Sequence, residues 1–195
     1  MLIAVKIAGL TPLLMNRFPD DDPNARPRSS MVGDKGTPRE QAEPKAYRLP
    51  TGGLYLPGPN IYSGLIEAGK FHKLGKRQVT TLKGSLIPSG IFLLEPECPL
   101  ILPDSIKSAL ITDFEVDSRP VVIPSTGGRI ICHRPRLDDW GCCFTLQVEE
   151  REFDPKFVRT LVDDLGSKVG LGDFRPQRKG QFGRFMVVSW EVQKA

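Results

Sequence analysis

Two segments of this chain read as helices, nearly every other apolar segment reads as strand, and their order leaves few architectures open. Asn60 can cap a helix through IYSGLIEAGKFHK, where Ile61, Leu65, Ala68 and Phe71 or His72 share a face. Asp154 can cap a second, DPKFVRTLVDDLGSK, with Pro155 at the first helical position and a stripe of Phe157, Leu161, Val162 and Leu165. Around them, Leu2 to Gly9 has the β-branched alternation of a first strand. Leu54 to Leu56 is a short strand ahead of a PGPN turn. Ser85 to Leu94 is a strand bent at Pro88-Ser89-Gly90. Asp113 to Ile123 and Arg129 to His133 form a hairpin through PSTGG. In Cys142 to Glu150, Phe144, Leu146 and Val148 face one way and Thr145, Gln147 and Glu149 the other. Arg184 to Val192 is the last strand.

Stripped of insertions, the order is β-α-β-β-α-β. It predicts an α+β fold, a ferredoxin-like (RRM-like) split βαβ sandwich with two helices on one face of a four-stranded antiparallel sheet. One domain, 1–195, carries two decorations. Residues 11–50 hold seven prolines, mixed charges and almost no apolar periodicity, and read as an extended arm after strand one. Residues 98–140 hold the β-hairpin insertion.

Hydrophobic content of 39% and charged content of 26% are those of a globular protein. No run approaches the roughly 18 apolar residues of a membrane-spanning helix. The opening MLIAVKIAGLTPLL alternates like a strand and lacks a signal peptide's charged start and small-residue cleavage site, so a cytoplasmic location is expected. Cys98, Cys132, Cys142 and Cys143 contain no CxxC pair, and adjacent Cys142 and Cys143 would point to opposite faces of a strand. Buried free thiols are expected rather than a zinc site of Cys132, His133 and Cys142, and no metal or cofactor is expected.

The stretch GLGDFRPQRKGQFGRF, residues 170–185, combines five glycine or proline breakers with four cations and three phenylalanines. Gly170, Gly172, Gly180 and Gly183, with Gly166 just ahead, allow positive φ and close backbone approach, and successive N–H groups in such a loop can form anion-binding nests. Arg175, Arg178, Lys179 and Arg184 suit phosphates. Phe174 and Phe182 could stack bases, whereas Phe185, inside the strand, belongs to the core. A second cluster, Lys70, Lys73, Lys76, Arg77 and Lys83, has no acidic residue between Gly69 and Gly84. In the split βαβ order both helices point the same way, so the two basic loops leave one edge of the sheet and could join into one groove.

On these residues the chain resembles the RAMP superfamily of CRISPR proteins. LYLPGPNIYSGLIEAGK is similar to the segment opening that superfamily's first helix, and GLGDFRPQRKGQFGRF to its glycine-rich loop before the final strand. VKIAGLTPLL fits its opening strand. The likeness covers about 60 of the 195 residues and is nearest to the crRNA-binding backbone subunit of effector complexes, or a phage-type relative. The resemblance implies a ribonucleoprotein subunit of antiviral defence that binds single-stranded nucleic acid, the guide RNA, through its backbone. It also implies partners: copies of itself along the strand and other effector subunits. Gly170, Gly172, Gly180 and Gly183 would meet the sugar-phosphate chain, and Lys70, Lys73, Lys76, Arg77, Arg175, Arg178, Lys179 and Arg184 would meet phosphates. The arm around residues 17–48 would reach a neighbour or wedge between bases with Met15, Phe18 or Met31.

Catalysis has weaker footing. His72, beside Lys70 and Lys73, sits where a metal-independent endoribonuclease could use a general acid or base, and His133 is a lesser candidate. Asp20, Asp21, Asp22 and Asp34 could assist cleavage or hold a divalent ion, although acidic loop runs are usually only solvated. A phage structural or adaptor protein gripping partners through the proline-rich arm is the competing class.

Overall fold

The alternation of Ile3, Val5 and Ile7 makes Leu2–Gly9 a strand, β1, whose one face is fully buried. The computed structural model describes residues 1–18, 36–103, 109–122 and 127–193. After β1 come β2 (Leu13–Leu14), α1 (Pro38–Ala42), β3 (Tyr55–Pro57) and α2 (Gly58–Ala68). Then follow β4 (Lys73–Leu74), β5 (Arg77–Gln78), β6 (Ile91–Leu93) and β7 (Glu97–Ile101). The chain continues with β8 (Glu115–Val122), β9 (Arg129–Leu137), β10 (Gly141–Val148), α3 (Pro155–Asp164) and β11 (Phe185–Gln193).

The fold is α+β with antiparallel sheets. In the main sheet β1 lies between β11 and β10. Strand β10 pairs with β6 through Leu146–Val148 and with β7 through Gly141–Cys142, and β7 pairs with β3. Helices α2 and α3 press Ile61, Leu65, Ala68, Val158, Leu161 and Val162 onto the face formed by Ile3, Val5, Ile7, Phe144, Leu146 and Val148. The opposite face leaves Cys143, Gln147 and Met186 exposed, so Cys142 and Cys143 do face opposite ways. A second sheet, β2-β9-β8, is the hairpin insertion with one short strand added from the segment after β1.

Several expectations are corrected. Helix α2 begins at Gly58, with Pro57 at the cap position and Pro59 in the first turn, so Asn60 lies inside the helix rather than at its cap and no side chain caps the start. Beyond Ala68 the chain tightens into a 3-10 turn, which swings Phe71 into solvent, and in α3 Val158 rather than Phe157 is fully buried. Asp154 does cap α3, accepting from the Lys156 N–H at 2.6 Å. Ser85–Leu94 is a strand only at Ile91–Leu93, because Pro88 falls in a 3-10 turn. Strand β7 places residues 97–101 in the main sheet, so the separate hairpin starts later than residue 98.

The proline-rich stretch is tied down at both ends. Leu13, Leu14 and Met15 are buried, which removes Met15 as an exposed wedge. Thr37 and Glu40 form a reciprocal capping box on α1, and Ala42 and Ala46 enter the core. Phe18 is exposed, while Met31, Asp20, Asp21, Asp22 and Asp34 lie outside the described residues.

Candidate nucleic-acid interface

Residues 10–16 act as a seam. On one side, β2 pairs Leu13 with Leu137 and Leu14 with Arg136, and the Met15 N–H donates to the Pro135 carbonyl at 3.0 Å. On the other, Leu10 donates to the Arg184 carbonyl at 2.7 Å, Gly183 to Pro12 at 2.8 Å and Asp173 to Leu14 at 2.8 Å. The Trp140 indole N–H also donates to the Thr11 carbonyl at 2.9 Å. The apolar run Leu13-Leu14-Met15 is what holds this seam down. The result is that the hairpin insertion and the glycine loop, far apart in sequence, stand side by side.

The glycines of the loop act within the chain. Gly183 has φ +68°, and a Cβ there would lie 1.8 Å from the Leu171 carbonyl oxygen. A Cβ on Gly180 would lie 1.6 Å from the Phe174 carbonyl oxygen. The N–H groups of Gly170, Leu171, Asp173, Phe174, Arg178, Lys179, Gly180, Phe182, Gly183 and Arg184 are all taken by partners inside the protein. An anion nest built on those donors is therefore not formed. The loop presents side chains to its surroundings and keeps most of its amides inward.

Those side chains meet the hairpin in a cleft of about 530 Å³. Lys179 and the rings of Phe174 and Phe182 line it from the loop, and Arg119 and Arg136 from β8 and β9. The Arg119 guanidinium lies 4.4 Å from the Phe182 ring centroid, and its Nε donates to both Asp117 carboxylate oxygens at 2.8 Å. Arg136 pairs with Asp138 at 2.6 Å, an exposed pair of little net worth that an incoming phosphate can replace. Behind the cleft, Arg134 is 4% exposed, 3.0 Å from Asp173 and 5.0 Å from the Phe174 ring. This pair, with its arginine buried and its aspartate half-buried, ties the loop to the hairpin from below. Phe174 (φ 52°) and Lys179 (φ 63°) are held in the left-handed region, strain that the surrounding bonds impose.

A second opening of about 210 Å³ lies on the other side of the loop, against α2. There Glu67 accepts from Lys70 at 2.7 Å; that bond holds the Glu67 carboxyl below its ordinary value, with Gln177 and Arg175 acting the same way. The ordering of α2 and the loop at one edge is thus visible in Glu67, Gln177 and Arg175. It also means that Lys70 is neutralised rather than uncompensated.

Of the remaining expected residues, Lys73, Lys76 and Arg77 project from the β4-β5 hairpin, and Arg178 and Arg184 are exposed on the loop. Arg175 turns inward, donating to the Gly172 carbonyl at 2.8 Å and to Gln177 at 2.9 Å. His72 Nε2 is 2.9 Å from Asp164 and its ring stands edge-on to Phe157, so it joins the ends of α2 and α3. His133 Nδ1 is 2.7 Å from the Ser118 hydroxyl on the hairpin. Cys132 contacts Lys45 while Cys142 is buried in the main sheet, and among the described residues no His, Cys, Asp and Glu side chains gather as a metal site. Among those residues, too, no helix is long and apolar enough to cross a membrane.

Sequence reasoning missed Arg119 and Arg136. The available signal was the alternation Arg134-Pro135-Arg136 on a strand, which sends the two guanidiniums to the same face, followed by the question of what that face would meet.

No family model and no curated protein matches the chain. Among solved structures, it superposes on a chain of the type III-B Cmr-β complex bound to cognate target RNA, with a TM-score of 0.53 and 12% sequence identity. The alignment covers 99% of this chain and 60% of that one, so this chain spans about three fifths of the length of its structural neighbour. At that identity the likeness is one of fold alone.

Proposed function

We propose that this protein is a single-stranded RNA-binding subunit of a CRISPR-type effector, or of a phage relative of one. The observation that carries the reading is the cleft between hairpin and glycine loop, where Arg119, Arg136 and Lys179 surround Phe174 and Phe182. Cations facing aromatic rings are the combination that holds a phosphate chain while its bases stack. In the finer reading, β1, α2, β6, β10, α3 and β11 are the ferredoxin-like split βαβ unit. The strand order β11-β1-β10-β6, with every neighbour antiparallel, supports it. The RNA complex in which the structural neighbour was seen supports RNA as the ligand. Side-by-side assembly with copies of the chain and with other effector subunits, in the cytoplasm, completes the proposal. Because phosphate contacts carry no direct sequence information, specificity would reside in base pairing by the bound strand.

The test is titration of nuclease-treated protein with labelled single-stranded RNA at two salt concentrations, beside Arg119→Ala/Arg136→Ala/Lys179→Ala. Wild-type binding should weaken steeply with salt, and the triple variant should lose about 100-fold in affinity at about 50 mM salt with a shallower salt slope. Equal binding by the triple variant would remove the cleft as the site. No binding by the wild type would move the adaptor reading ahead.

A further inference from the structure

The two openings flanking the glycine loop differ in chemistry. The cleft holds cations and aromatic rings. The smaller opening against α2 is lined by Asn60 and Ser63 from one face of that helix, and by Asn16 from the end of the seam. The charged groups there, Glu67, Asp173 and Arg175, are engaged with Lys70, Arg134, Gln177 and the Gly172 carbonyl. Asn16, Asn60 and Ser63 are exposed and have no side-chain hydrogen-bond partner among the described residues. The opening therefore offers two amides and a hydroxyl, each able to donate and accept, beside charges that already have partners.

That set is suited to a neutral hydroxyl rather than to a phosphate, which would need unpaired cations. Its size narrows the ligand further. About 210 Å³ is below the roughly 300 Å³ at which pockets for whole drug-sized ligands begin, so it admits one ring of a longer molecule. A base ring seeks a free aromatic face. Tyr47 also lines this opening, but it is half-buried and already packed edge-on against Tyr55 at 5.6 Å, whereas Phe174 and Phe182 face the cleft.

We propose that the Asn16-Asn60-Ser63 notch takes a ribose of the bound strand and hydrogen-bonds its 2′-hydroxyl, making the protein selective for RNA over DNA. The glycine loop then divides two tasks: the cleft grips phosphate and base, and the notch senses the sugar. This inference rests on the functional reading above. The 2′-hydroxyl is the group that distinguishes the two nucleic acids at one site, and it both donates and accepts, as do its three proposed partners.

The experiment compares affinities for oligo-uridine and oligo-deoxyuridine of equal length, for wild type and for Asn60→Ala/Ser63→Ala. Both positions are exposed, and matching thermal melts confirm that the variant is folded. Wild type should prefer the ribose probe by about tenfold, and the variant should lose most of that preference while its affinity for the deoxy probe stays within about twofold. An unchanged preference in the variant would overturn the inference and leave the cleft standing. So would a loss of affinity that is equal for both probes. Failure of the wild type to bind either probe would overturn the functional reading, and this inference with it.

Discussion

The loop after α2 and the loop after α3 carry similar cationic charge and are built in opposite ways. Lys73, Lys76 and Arg77 are exposed on a hairpin of two-residue strands, and a Cβ on Gly75 at its turn would meet nothing within 4 Å. The loop after α3 is bonded to itself and to the seam along its length, and a Cβ on Gly183 would strike backbone. The first arrangement offers charge without direction. The second fixes its cations and rings before any ligand arrives, which lowers the ordering cost of binding. Two segments that look alike in composition thus differ in preorganisation, and the difference comes from what each one packs against.

The comparison can be broken most sharply at its glycines. Gly183→Ala forces a left-handed alanine into the Leu171 carbonyl and should destabilise the fold by about 3 kcal/mol or more, read as a lowered denaturation midpoint. If its midpoint stayed at the wild-type value, the loop would not be the fixed element described. Next in size, Lys73→Ala/Lys76→Ala/Arg77→Ala should weaken RNA binding by no more than about fivefold, well short of the cleft triple, because undirected charge contributes mainly through counterion release. A loss as large as that of the cleft triple would make the two loops equal partners. The smallest effect is expected for Gly75→Ala. Only its φ of +60° opposes a side chain, so about 1 kcal/mol should be lost, with RNA affinity unchanged.

The strands were legible wherever one face is buried and the other wet, because the period of two then appears in the residues themselves. Phe144, Leu146 and Val148 are the plainest case, and all three are buried. The Asp154 cap and the core position of Phe185 were legible for similar local reasons. The cleft was only half legible. Its loop residues stood out by composition, but Arg119 and Arg136 belong to it solely because β2 draws β9 against the seam, and a two-residue strand leaves almost no periodic trace. The same contact explains why residues 11–50 read as an arm. Leu13, Leu14 and Met15 are too short a run to signal a core segment, yet all three are buried. In the glycine loop the residue types suggested outward amides, and only the geometry revealed that most of them are already bonded within the protein.

The seam also sets an order of events in the making of the molecule. Strand β1 has its two partners in β10 and β11, and residues 10–16 wait for residues 135–137 on one side and 171–184 on the other. These are closures over most of the chain, the kind that form late because the entropy of bringing distant segments together must be overcome first. While the polypeptide is still emerging from a ribosome, its hairpin can zip locally, but the cleft has no second wall. A nascent chain therefore has half a cleft, and the two walls meet only in the finished fold.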